Sequence, residues 1–315
     1  MEKMKAIRYD KKGTPGKLSL SEVDKPVPKD HELLVRVHAV SLNAADYRSM
    51  KMGIIPKKRI FGADVAGTVE AAGEKTAMFK PGDEVMADLA GFGFGGLAGY
   101  VAAPERAFVL KPAGVSFEDA ATLPLAGVTA LQALRDKGSI QKDEKVLIVG
   151  SAGSVGSFAV QLAKWFGAEV TGVCSSGKIS QTLAIGADHA IDYTRERFWD
   201  SDKRYDLILA INGNYPLRAY RKALTPRGRY VMVGGSLSQI IRSLAFGWIL
   251  SLGSKKMRSL SAKPSQHDLA LLGSLLEKGV IKPVIDSRYT LAEATEAMNY
   301  LSQGHASGKV VIRIE

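Results

Sequence analysis

Up to about residue 113, apolar and polar positions alternate in short runs. These are "MKAIRYD", "LLVRVHAV", "ADVAGTVEAAG", "DEVMADL" and "AFVLKP", with Pro81-Gly82 and Lys111-Pro112 among the turn signals between them. A period of two broken by turn residues predicts short strands and a β-rich first domain. At Ser116 the pattern changes to "SFEDAATLPLAGVTALQALRD", where Ser116 with Asp119 three residues on makes a capping box before a helix. From there strand-like runs ("KVLIVG", "AEVTGVC", "HAIDY", "YDLILAI", "RGRYVMVGG") alternate with helical stretches. Near-continuous apolar strands in such alternation predict an α/β domain, a doubly wound parallel sheet covered on both faces. After about residue 253 come a helix "SQHDLALLGSLLEKG", a strand "PVIDSRYT", a helix "LAEATEAMNYL" and a strand "GKVVIRIE". These strands have no place in a completed doubly wound sheet. The expected division is therefore 1–115 with 254–315 as one domain and 116–253 as the other. The longest apolar run, "SLAFGWILSLGS" at 243–254, is too short to span a bilayer and holds two glycines. It reads as a buried or lid helix, with contact to a membrane left open.

The segment "KVLIVGSAGSVGSFAVQLAKWFG" places Gly150, Gly153 and Gly156 between a buried strand and a helix whose apolar face is Val155, Phe158, Ala159, Leu162, Ala163 and Phe166. Backbone amides at such a helix start favour an anion, and glycines let a pyrophosphate approach. The turn residues Gly150, Ser151, Ala152, Gly153, Ser154, Val155 and Gly156 are thus candidates for holding a dinucleotide. From Val170 through Ala187 there is no acidic residue to meet a ribose 2′-OH. The second strand ends instead in Cys174-Ser175-Ser176-Gly177-Lys178, two hydroxyls and a cation suited to a 2′-phosphate, so NADPH is expected over NADH.

Composition narrows the setting. The chain has 315 residues, 46% of them hydrophobic, enough for about two domains. A net charge of +11 favours anionic ligands, yet the basic residues are scattered, which points to an anionic small molecule rather than nucleic acid. The single cysteine, Cys174, excludes a disulfide framework and multi-cysteine metal sites and suits a reducing cytoplasm. His31, His38, His189, His267 and His305 show no metal-ligand spacing. The amino-terminal stretch has no apolar core of a secretory signal, and stable membrane insertion is not expected.

The ordered set "SLNAADYR", "GADVAGTVEAAG", "FKPGDEV", "AATLPLAGVTAL", "VLIVGSAGSVG" and "GKVVI" resembles the medium-chain dehydrogenase/reductase superfamily, and within it the zinc-independent quinone oxidoreductase-like group, over essentially the whole chain. The resemblance implies a GroES-like β-barrel domain, a Rossmann domain inserted into it and a cleft between them. It also implies an oxidoreductase, with a homodimer following by analogy alone. Zinc-dependent relatives carry a Cys in the segment aligned to "SLNAAD", a His-Glu pair aligned to "GADVAG" and a Cys near "LPLAG". Here those places hold Asn43, Ala63 with Asp64, and Leu125 or a neighbour, which lack the nitrogen and sulfur donors zinc needs. The lobe that would bind a structural zinc reads "GFGFGGLAGY".

Without a Lewis acid, alcohol oxidation is disfavoured, whereas hydride addition to a quinone or an α,β-unsaturated carbonyl needs only hydrogen-bond donors at the oxygen that gains charge. By resemblance Asn43 lies near the nicotinamide and the substrate carbonyl, Tyr47 is a candidate donor or proton source, and Asp46 and Asp64 organise the surroundings. Asn43 capping a turn and Tyr47 packing in the barrel wall are the competing readings. Thr129 in "G-x-T-A" is expected at the nicotinamide or its ribose and Tyr193 on the adenosine side, unless it is a strand-end core aromatic. Asn212-Gly213 and Gly234-Gly235 follow the fourth and fifth strands at the carboxyl edge, where a ligand lies in this fold. Lys309, in "GKVVI", is placed with the cofactor-binding residues. A metal-free alcohol dehydrogenase and a non-catalytic NADPH-binding protein remain as alternatives.

Overall fold

A computed structural model describes residues 2–10, 17–235, 238–241, 243, 245, 251 and 253–314. The chain forms two compact units. The first comprises Met1–Ala126, Pro264–Gly279 and Pro283–Glu315, the second Gly127–Lys263 and Val280–Lys282. Most of the apolar run 243–254 lies outside the described residues.

The first unit begins with an antiparallel pair, β1 (Lys3–Tyr9) and β2 (Leu18–Asp24). Its main sheet uses β3 (Glu32–Leu42), β4 (Asp64–Ala72), β5 (Glu84–Asp88), β6 (Tyr100–Pro104), β7 (Phe108–Leu110), β14 (Ile285–Thr290) and β15 (Lys309–Arg313). The strand order is β14-β15-β3-β4-β5-β7, with β6 also paired to β3. Long β3 is therefore flanked on both edges and almost wholly buried, which its apolar sequence "ELLVRVHAVSL" permits. Helix α1 (Ala44–Lys51) follows β3 directly. Helix α2 (Phe117–Ala121) starts at Ser116, whose side chain accepts the Asp119 N–H.

Helix α2 belongs to the first unit, so the division falls later than Ser116. Phe117 lies against His38 of β3 with ring centroids 4.4 Å apart, and Glu118 pairs with Arg288 and Arg313 of β14 and β15. Helix α3 (Pro124–Gln132) carries the chain across the division.

The second unit is a six-stranded parallel sheet of β8 (Lys145–Val149), β9 (Glu169–Cys174), β10 (His189–Asp192), β11 (Tyr205–Ala210), β12 (Leu224–Met232) and β13 (Lys256–Ser259). Its order, β10-β9-β8-β11-β12-β13, is doubly wound and reverses at β8. Helices α4 (Ser154–Trp165), α5 (Ile179–Ala184) and α6 (Leu217–Ala223) join its strands. The unit runs on past residue 253, because β13 pairs with β12 from Arg229↔Lys256 to Met232↔Ser259. Residues 280–282 belong to it as well: the Gln161 side chain on α4 donates to the Lys282 carbonyl (2.9 Å) and accepts its N–H (2.7 Å). The first unit takes up the chain again in α7 (Gln266–Glu277) and, after residues 280–282, in β14, α8 (Ala294–Ser302) and β15.

Candidate active site

In the first unit, sheet register gathers the polar residues. Ser41 of β3, Asp64 of β4 and Asp88 of β5 are directly opposite one another, so their side chains share one face. Val311 of β15 opposes Ser41, which puts Lys309, two residues earlier, on that same face. The Lys309 side chain is fully buried; its Nζ donates to Asn43 Oδ1 (2.8 Å) and to Asp64 Oδ2 (3.3 Å). The other Asp64 oxygen accepts the Leu125 N–H at 3.0 Å. Of the positions that resemblance aligns with metal ligands, Asn43 and Asp64 thus meet at an ammonium group, and Leu125 joins them through its backbone bond to Asp64. Among the described residues, no cluster of three or more His, Cys, Asp or Glu side chains could hold a metal ion.

Asn43 is the N-cap of α1, and Asp46 in the first turn of that helix returns its carboxylate to the Asn43 N–H (2.8 Å) and to the Gly62 N–H (3.2 Å). Asp46 is thereby fixed as a bracket between α1 and the start of β4. Its burial pushes its carboxyl up to about 6, against the pull of those two N–H donors and of Lys309. Asp64 is likewise raised, first by burial and then by the like charge of Asp88, with Lys309 opposing. Tyr47 is half-buried against the core of the unit, and its ring neighbours are the cations of Lys51 (5.4 Å) and Arg48 (5.9 Å) rather than the carboxylates. Lys309, read from sequence with the cofactor-binding residues, groups in the structure with Asn43 and Asp64.

In the second unit, the three glycines of the β8–α4 turn have separate causes. Gly150 has φ +90°, which side-chain-bearing residues rarely adopt. A Cβ on Gly156 would stand 2.0 Å from the Gly150 carbonyl oxygen, so the helix can approach the turn only without one. A Cβ on Gly153 would meet nothing nearer than 3.7 Å, and its φ of −81° is ordinary. Of the three, Gly153 alone leaves room that the protein itself does not need, in front of the first amides of α4. Ser151 is fully buried and serves the turn: its hydroxyl bonds the Val173 carbonyl (3.3 Å) and Thr182 (3.1 Å). Ala152 is buried beside it, while Ser154 and Val155 open the helix half-buried.

The other residues of this unit gather at the carboxyl ends of the strands. Asn212 and Gly213 follow β11, and Asn212 abuts Gly150 where the strand order reverses. Gly234 and Gly235 follow β12, and Thr129 is buried on α3. Tyr193 is 52% exposed just past β10, so it is not a core aromatic. Ser175 and Lys178 flank the turn after β9. The Ser176 hydroxyl, expected to face a phosphate, donates instead to Asp192, which also receives the Thr194 N–H and hydroxyl. Sequence reading missed Asp192 because it counted only acids following β9 on the chain, whereas parallel pairing sets Asp192 beside Cys174. It missed Asp88 and the burial of Lys309 for the same reason: both depend on register, not on local pattern.

Such a pair of units, one with a dinucleotide turn at the switch point of a parallel sheet and one with a buried amide–ammonium–carboxylate cluster, defines a nicotinamide-dependent oxidoreductase. The alcohol dehydrogenase GroES-like domain model matches residues 29–113, and the zinc-binding dehydrogenase model matches residues 185–312. The chain belongs to the medium-chain dehydrogenase/reductase superfamily, in its quinone oxidoreductase-like group. It is 33% identical to a chloroplastic quinone-oxidoreductase, QR1, of Triphysaria versicolor over 98% of both chains. It is 31% identical to a chloroplastic NADPH-dependent alkenal/one oxidoreductase of Arabidopsis thaliana over 99% of this chain and 80% of that one. Among solved structures, a quinone oxidoreductase from Coxiella burnetii superposes with a TM-score of 0.89 at 28% identity, covering both chains completely.

Proposed function

We propose that this protein reduces quinones and α,β-unsaturated carbonyls with NADPH and without zinc. The observation that carries the reading is the Asn43 cluster. Where zinc-dependent relatives would need thiolate and imidazole, it offers an amide, a buried cation and carboxylates. The names of the relatives above support the same substrate class.

The room beside Gly153 and the N-terminus of α4 fit a pyrophosphate, and Ser175, Lys178 and Tyr193 are the residues we assign to the 2′-phosphate side. Asp192, held low by the Ser176 and Thr194 hydroxyls, stays ionised and has Arg195 at 3.5 Å as its counter-charge, and Lys178 supplies the cation we assign to the phosphate. NADPH, when bound, supplies the hydride.

The chain's own part is electrostatic. When hydride reaches the far carbon of a conjugated acceptor, negative charge gathers on the carbonyl oxygen, and an Asn43 Nδ2–H donor there stabilises it. The reduced product then takes up one proton, from Tyr47 or from water. Asp46 holds Asn43 by its backbone, so the donor does not have to be organised during the reaction. The occupants of the site are small molecules, and a single buried cysteine suits a reducing compartment.

The test is NADPH oxidation followed by absorbance with a panel of quinones, 2-alkenals and simple aldehydes, run beside NADH. Turnover with the first two classes is expected. Turnover confined to simple aldehydes would make the protein a metal-free alcohol dehydrogenase, and NADPH binding without any turnover would make it a binding protein.

A further inference from the structure

The side-chain amide of Asn43 has two faces of opposite chemistry, and only one of them is useful to an oxygen that is gaining charge. An ammonium has three donors and no acceptor. Whatever lies against Lys309 Nζ must therefore be the amide oxygen, and the 2.8 Å contact assigns Oδ1 to Lys309 and turns Nδ2 away from it. On the Nδ2 side the Ser41 carbonyl, at 3.3 Å, takes one of the two N–H groups over a long contact, and the amide nitrogen also faces the Asp64 carboxyl, whose ionisation it favours. The charge-assisted contact is the shorter and stronger of the two. Lys309 has no exposure to water, and register sets it on the face it shares with Asp64, whose carboxylate compensates its charge.

We propose that Lys309 is a positioning residue: by occupying Oδ1 it holds the Asn43 amide in the orientation that presents an N–H donor, not the carbonyl, to the substrate oxygen. The role rests on the reading of Asn43 as that donor. With the ammonium gone and Asp64 made neutral, the amide turns through half a rotation at little cost, and Oδ1 then repels the charge that Nδ2 would have stabilised. Asp64 and, on the next strand, Asp88 both compensate the buried charge, so the ammonium keeps a carboxylate partner when Asp64 is made neutral.

The test removes the ammonium in a background where the carboxylate bonded to it is already neutral. D64N is the reference, and D64N/K309M, D64N/N43A and D64N/N43A/K309M complete the set, each assayed for kcat, KM and NADPH affinity with one 2-alkenal. From D64N to D64N/K309M, kcat is expected to fall on the order of tenfold to a hundredfold, up to what loss of one oxyanion donor costs, with NADPH affinity held within about twofold. With Asn43 already alanine, removing Lys309 is expected to change nothing further, because two residues that act through one group are not additive. D64N/K309Q, which keeps a neutral donor toward Oδ1, is expected to recover part of the loss.

An equal fall in both backgrounds, no fall in either, or a glutamine no better than methionine would overturn the role. A neutron crystal structure of D64N/K309M, or of D64N/K309Q where the methionine variant does not fold, distinguishes amide nitrogen from oxygen directly and gives a reading independent of turnover. With methionine the Asn43 amide is expected to be turned or split between two orientations, and with glutamine to be held singly. An amide unmoved by methionine, or one that turns even with glutamine present, overturns the role. Absence of turnover in the unaltered protein with every acceptor would end the reductase reading, and the amide orientation would then decide Lys309 alone.

Discussion

Asp64 and Asp88 stand directly opposite each other on β4 and β5, two carboxylates on one face of the sheet with the buried ammonium of Lys309 bonded to the first of them. Like charges in that relation repel, and burial penalises both, so the unit holds carboxyls that ionise reluctantly.

Stability should therefore fall as pH rises through this range. Asp46 shows the sign most simply: its folded value of about 6 lies above the 3.8 of an ordinary aspartate. The unfolded chain then binds fewer protons between these values, so stabilisation complete below about pH 4 is lost by about pH 6, a change of about 3 kcal/mol. Urea unfolding of the parent and of Asp46→Asn from pH 4 to pH 7 checks it. The slope should flatten in the variant; an unchanged slope would remove Asp46 from the account.

Asn43→Ala should lower kcat about 10²-fold with NADPH affinity unchanged, the low end of what one lost oxyanion donor costs. Quinones, whose reduced form gains aromatic stabilisation, should lose less than alkenals. Single-turnover NADPH oxidation with one acceptor of each kind measures both. Tyr47→Phe in the same assay separates a phenol proton source from water, since only the former predicts a large loss.

The glycines of the β8–α4 turn should part company under mutation. Gly156→Ala forces a Cβ to 2.0 Å from the Gly150 oxygen and should cost about 1–3 kcal/mol of stability or more. Gly153→Ala, with ordinary φ and open space, should leave the melting temperature nearly unchanged and weaken NADPH. Thermal melts beside fluorescence titration decide it; equal NADPH affinity in Gly153→Ala would mean that the dinucleotide approaches the turn elsewhere.

Lys178→Ala, and separately Ser175→Asp, should weaken NADPH and hardly affect NADH, by roughly 1.5–3 kcal/mol for one charge-assisted contact. Parallel titrations with the two cofactors read the difference. Equal weakening of both would move Lys178 away from the 2′-phosphate.

Purified protein should hold no stoichiometric zinc and keep its activity in a chelator, because the side chains at Asn43, Asp64 and Leu125 offer neither thiolate nor imidazole. Elemental analysis that found one zinc per chain would refute this.

The alternation of apolar strands with helices announced the parallel sheet, since each strand buried on both faces writes its own pattern. Strand β13, four residues of "KMRS", has no such pattern and exists because β12 offers an edge; that is why the second unit outruns residue 253. Asn43, Asp46 and Asp64 could be picked out because they sit in short motifs. Lys309 could not be given its place. A lysine before an apolar strand looks solvated, and its burial is decided by partners 266 and 245 residues away in the chain. The bond from the Ser176 hydroxyl was hidden for a similar reason, its partner Asp192 arriving from the neighbouring strand.

The place of β15, between β14 and β3, sets an order of events during synthesis. All six strands of the parallel sheet lie within residues 145–259 and can close on one another before Lys309 is made. The flank of β3 that receives β15 has to wait, as does the amide of Asn43, for a segment translated far later, and such distant pairings close slowly. A nascent chain can thus complete its parallel sheet while the residue facing Asn43 is still missing, so on the proposed reading the capacity to bind comes first and the capacity to react comes last.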